Sequence, residues 1–79
     1  MFDLKIISDR RIIYDDTALS VTMDGESSEY EFLTFHADTM GVLRQGNIVI
    51  DNKFKIPIQN GIVSFWDNHC TIIVEEIVG

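Results

Sequence analysis

Apolar and polar residues alternate along this chain in short runs separated by Asp, Asn and Gly. That period of two predicts half-buried strands, and no stretch keeps a helical apolar period for three turns. In "FDLKII", Phe2, Leu4 and Ile6 point one way while Asp3 and Lys5 point the other. "ALSVTM" repeats the device, with Leu19, Val21 and Met23 expected inward and Ser20 and Thr22 outward. "NIVIDNKFKIPI" reads as a hairpin: Ile48 and Ile50 alternate with Val49, and Asp51-Asn52 turns the chain. Phe54, Ile56 and Ile58 then return inward above solvent-facing Lys53 and Lys55. Pro57 falls on that outward row and has no N–H to give a ladder, so it is predicted on an edge strand or at a bulge. "QNGIVSFWDNHCTIIVEE" supplies two more strands joined around Asp67-Asn68.

Turn signals recur every eight to twelve residues or so, the spacing of an all-β sandwich or barrel. The expected fold is all-β: a small β-sandwich of roughly eight to ten short, mostly antiparallel strands, forming a single domain over residues 1–79. A domain of this size buries only about 60–65% of its unfolded surface, which leaves little room for a deep pocket.

Composition and charge narrow the function. A 46% hydrophobic share with 24% charged residues is that of a folding domain, not of a disordered acidic tail. The net charge of −7 repels phosphate backbones and anionic lipid head groups and argues against nucleic acid as a partner. A lone Cys70 makes no internal disulfide, which fits a reducing cytoplasm. The start "MFDLKIIS" is not a signal peptide, and apolar runs such as "NIVI" and "TIIV" are strand-sized, so no membrane insertion is expected.

Catalytic signatures are missing: no phosphate-cradling Gly-rich loop, His-Glu-x-x-His, nucleophile elbow or Cys-x-x-Cys. Cys70 adjoins His69, but neighbours on a strand face opposite ways, so Cys70 reads as buried apolar filler. His36, His69 and Cys70 carry no metal-ligand spacing. No catalytic, cofactor or metal site is expected.

Glu29 and Glu31, two apart on a strand, share a face, as a solvated surface or as a pair mimicking a catalytic dyad. A small hydrolase using either carboxylate with His36 is conceivable chemistry, but no oxyanion donor accompanies it. Between Arg11 and Arg44 there is no Lys or Arg, whereas Asp15, Asp16, Asp24, Glu26, Glu29, Glu31 and Asp38 all fall there. Such one-sided charge predicts a docking surface for a basic partner. Phe65 and Trp66 face opposite ways, so Trp66 is either core packing or an exposed interface anchor.

Several intervals together resemble the epsilon subunit of the F-type ATP synthase, in its amino-terminal β-sandwich domain. The opening alternation leads to Ser8, followed six positions on by the aromatic Tyr14; Glu29 comes fifteen positions later, and His36-Ala37 is followed by Gly46 ten positions after the histidine. Gly61 and Thr71 match in the closing strands. The family's Gly-Glu-Leu-Gly-Ile-x-Pro-Gly-His run appears here as "SEYEFLTFH", without its glycines and proline, so the turn before His36 is expected to be built differently.

The resemblance implies a non-catalytic body in the central rotor, binding the gamma subunit on one part and the polar loops of the membrane c-ring at its lower end. It further implies that Glu29, Glu31, His36 and Asp38 face the c-ring, on the cytoplasmic side of the bacterial inner membrane, with no cofactor. The family's carboxy-terminal helices have no counterpart in these residues, so their self-inhibition of hydrolysis and nucleotide binding are expected to be absent. The competing expectation is a free-standing acidic β-sandwich that binds protein partners, since one fold hosts many functions.

Overall fold

The computed structural model describes residues 1–77 and contains, among them, eight strands and no helix. These are β1 (Phe2–Ser8), β2 (Ile12–Ala18), β3 (Ser20–Asp24), β4 (Glu29–Leu33), β5 (Thr39–Leu43), β6 (Gly46–Ile50), β7 (Phe54–Trp66) and β8 (His69–Glu76). Hydrogen bonding links them in the order β2-β1-β8-β7-β6-β3-β4, with β5 also on β7. All pairings between strands are antiparallel except that of β1 with β8.

The sheet folds over itself along β7. Phe54 to Ile58 pair with β6, while Gly61 to Phe65 pair with β5, and the register on the β8 side shifts between Ile58 and Asn60. A bulge there bends the strand, so one layer (β2-β1-β8-β7-β5) is continuous with a second (β7-β6-β3-β4). The layers meet face to face: the Phe32 ring of β4 lies 5.3 Å from that of Phe65 on β7, which stands edge-on to Phe2 of β1 at 5.4 Å. Tyr30 of β4 covers Gly41 of β5 so closely that any Cβ at residue 41 would collide with its phenol.

Alternation puts the inward rows where the sequence places them. Phe2, Leu4, Ile6, Val21, Met23, Ile48, Ile50 and Ile58 are all buried, and no buried side-chain polar atom among the described residues lacks a partner. Each such side chain contributes about 1.5–3 kcal/mol relative to exposure. Both anticipated turns are present: Asp51-Asn52 and Asp67-Asn68 carry positive φ, as tight hairpin turns require.

Three expectations need correction or sharpening. Leu19 is not inward but 62% exposed. It is the one residue between β2 and β3, where the chain leaves the first layer for the second, and Ala18 takes the buried place. Phe54 is exposed as well, because β7 begins beyond the reach of β8, which pairs with it only from Ile58 onward. Pro57 lies within a central strand, yet there its pairing is with Asn47 of β6 alone, and the bulge follows immediately.

Candidate docking surfaces

Register turns scattered residues into surfaces. On the outer face of the first layer, Val42 of β5 lies beside Ile62 of β7, Ile62 beside Ile73 of β8, Ile73 beside Ile7 of β1, and Ile7 beside Ile12 of β2. This apolar row crosses five strands, and Ile62 at its centre is 49% exposed. The next row holds Met40, Ser64, Thr71, Lys5 and Asp15. Beyond it come Trp66, His69, Asp3 and Thr17, where His69 Nδ1 approaches Asp3 Oδ2 at 2.9 Å. Trp66 is 65% exposed, so of the two roles weighed for it core packing is wrong: Phe65 fills the core and Trp66 stands outside.

The outer face of the second layer is different in kind. Its central row runs Glu31, Thr22, Val49, Lys55 from β4 to β7, acidic at one margin and basic at the other. Glu29 is exposed and faces Asp24 of β3 across the ladder. Among the described residues the ion pair is Arg11–Glu76 and the one histidine–carboxylate contact is His69–Asp3, so neither Glu29 nor Glu31 is neutralised by a close cation.

His36 lies in the loop between β4 and β5, where the sequence reading puts it, but it is not a free surface imidazole. Its ring stands edge-on to Phe32 at 4.7 Å and to Phe65 at 5.6 Å. Nδ1 lies 2.7 Å from the Ala37 carbonyl, which can only accept, so Nδ1 carries the proton. Asp38 is exposed two residues on.

The seven acids do not form the continuous patch expected of them. Asp15 and Asp16 lie on β2, at the opposite end of the strand order from β4; Asp24, Glu26, Glu29 and Glu31 belong to the β3–β4 hairpin; Asp38 sits in the following loop. Glu29 opens β4 and His36 lies past its end, with about 13 Å of strand between the two ends. Neighbours in the chain are separated here because each hairpin sends successive residues to opposite ends of a layer.

Cys70 is buried, and that burial pushes its thiol up to about 12, far from a reactive thiolate. His69 points the other way, as adjacent strand residues must. No group of three or more potential metal ligands gathers among the described residues. A shallow depression of about 410 Å³ over β2, β1 and β8 is lined by polar residues including Asp3, Lys5, Asp15 and His69. At the far end of that layer, Glu76 accepts from Arg11 Nη2 at 2.7 Å and from Ser8 Oγ at 3.0 Å. The Arg11 guanidinium holds the Glu76 carboxyl below its ordinary value, with Ser8 adding to the effect against opposing desolvation.

What the fold and its surfaces define is a small all-β sandwich, one whose polar and apolar groups are displayed on outer faces. A family model described as "ATP synthase, Delta/Epsilon chain, beta-sandwich domain" matches residues 1–79, and this chain belongs to that family. The ATP synthase epsilon chain of Sulfurimonas denitrificans is 32% identical over 79 residues, and that of Nitratiruptor sp. is 33% identical over 79. Each match covers 95% of this chain but 61% of the relative, so the chain spans about three fifths of the relatives' length. Among solved structures, a chain from the Tetrahymena thermophila mitochondrial ATP synthase central stalk and c-ring superposes with a TM-score of 0.80 at 16% identity, over 94% of this chain and 63% of that one. A chain from the Euglena gracilis mitochondrial ATP synthase superposes at 0.81 with 20% identity, over 95% and 51%. At those identities the structures speak for the fold, and the family match for the kinship.

Proposed function

We propose that this chain serves in the central rotor of a bacterial F-type ATP synthase, clamping the stalk to the ring so that ion-driven rotation reaches the catalytic head. The family match across residues 1–79 carries this. The gamma subunit is assigned to the outer face of the first layer, because a permanent partner needs a broad apolar contact and the Val42-Ile62-Ile73-Ile7-Ile12 row offers one. The c-ring is assigned to the flank made by β4 and its following loop, with Glu29, Glu31, His36 and Asp38 toward the ring's polar loops.

The role is mechanical and takes no chemical step. Two layers sharing β7 and one close-packed core form a body stiff enough to carry torque. Its working position is peripheral, at the cytoplasmic side of the inner membrane, held there by the complex. The test is to add the purified chain to a synthase stripped of its epsilon subunit. The expected result is co-purification with gamma and recovered ion-driven ATP synthesis. Failure to bind gamma at any salt concentration would overturn the assignment and leave the free-standing acidic binding module as the better account.

A further inference from the structure

The residue immediately before His36 stands where the resembled family run has a glycine, and here it is Phe35. Its φ of 61° lies in the left-handed region, where a Cβ crowds the following carbonyl oxygen. The other non-glycine residues with positive φ are Asp51, Asn52, Asp67 and Asn68, types that tolerate this conformation through local hydrogen bonds. Phe35 has no such means, and it gains nothing from burial, being 81% exposed.

What holds it is Asn68. The Asn68 Oδ1 accepts from the Phe35 N–H at 2.9 Å, while its Nδ2 donates to the Met1 carbonyl at 3.1 Å. A glycine-type backbone thus carries an aromatic ring and aims it at solvent. A strained, over-determined residue of this kind is a reason to look for a function.

The surroundings supply one. Leu33 continues the outward row of β4 that begins with Glu29 and Glu31, so that row passes from two acids to an apolar residue as it reaches the loop. Leu33 pairs with Ser20, beside exposed Leu19, and Met1 adjoins the Phe2–Ala18 pair on the other side of Leu19. Met1, Leu19, Leu33 and Phe35 are all exposed, and Asn68 ties the Phe35 backbone to that of Met1, with Asp67 next to Asn68 and Asp38 in the loop after Phe35. A net charge of −7 disfavours a second copy of this chain or an anionic lipid surface as occupant.

We propose that Phe35 is a preset anchor which, with Leu33, packs against Lys or Arg side chains on the c-ring's polar loops, ring face to cation and apolar stem. This rests on the assignment of the β4 flank to the ring. The strain is the cost of keeping the ring outward before the partner arrives, so that little side-chain freedom is lost on docking.

The experiment uses detergent-solubilised c-ring immobilised on a sensor, with the full chain as analyte. Phe35→Gly suits the left-handed backbone, so its melting temperature should equal or exceed that of the native chain. Its affinity for the ring should nevertheless fall at least about tenfold, the mark of a lost aromatic anchor, and Phe35→Trp should retain binding. If the native chain binds the ring and Phe35→Gly binds equally well, the anchor is refuted while the ring assignment survives. If the native chain binds gamma but not the ring, both fall. Phe35-dependent binding to neutral lipid vesicles without ring binding would assign the tip to lipid and also overturn the proposal.

Discussion

The two outer faces are built from the same alternating strands, yet one carries an apolar row across five strands and the other a line from Glu31 to Lys55. Each outward position on the first layer is unremarkable alone, since exposed Ile and Val residues are common on soluble proteins. Register makes the difference: one apolar residue per strand, aligned side by side, is a surface, whereas the same residues staggered would be scattered spots. The contrast teaches that one alternating pattern yields a continuous apolar strip on the first layer and a polar, oppositely charged line on the second.

The largest expected effect removes the floor beneath both faces. Phe65→Ala empties the centre of the aromatic cluster with Phe2, Phe32 and His36 and should cost about 3–5 kcal/mol in urea unfolding. That is a large fraction of a small domain's total stability. Retention of gamma binding at full strength by this variant would mean that the faces do not depend on the shared core.

Next comes a direct attack on the asymmetry. Ile62→Asp at the centre of the apolar row should weaken gamma binding by roughly 2–4 kcal/mol in calorimetry. Its melting curve should move little, because Ile62 is half exposed. Lys55→Asp on the opposite face should leave gamma binding untouched, and equal losses from the two changes would erase the distinction between faces.

A smaller effect is expected at the β4 margin. Glu29→Lys should weaken attachment to the ring several-fold, with rising salt weakening the native attachment in the same direction, while the thermal melt stays in place. A collapsed melt with normal co-purification would make Glu29 structural instead.

The smallest effect concerns the clip at the far end of the first layer. Glu76 titrates below its ordinary value beside Arg11, so the stability this contributes is present above that value and is lost as pH falls through the lower folded-state value. Arg11→Ala should therefore lower the melting temperature slightly at pH 7 and by less at pH 3. An equal difference at both values would show that Arg11 acts through packing, not charge.

Much of the body was legible in the chain because a strand's period is two. Phe2, Leu4 and Ile6 fall inward for that reason, and Asp51-Asn52 and Asp67-Asn68 turn because short polar side chains tolerate positive φ. Leu19 and Phe54 escaped the same rule because they stand where the chain leaves a layer or outruns its neighbour. The apolar row was invisible for a different reason: Ile7, Ile12, Val42, Ile62 and Ile73 come from five strands, and only pairing aligns them. His36 could be placed in its loop by pattern, but not against Phe32 and Phe65, which requires knowing that β4 lies over β7. Nor does any sequence signal mark Phe35 as left-handed, since the glycine that would have announced it is absent.

The position of β8 has a consequence for how the molecule is made. It lies between β1 and β7, so during synthesis the β1–β2 hairpin has no neighbour to pair with until β8 has emerged from the ribosome. The intervening segments can fold on themselves beforehand, but closure joins β1 to β8 across six other strands, a long and entropically expensive loop. Assembly of this body is thus gated by a single late insertion, and nascent chains halted before residue 69 should leave their leading hairpin loose and open to proteases.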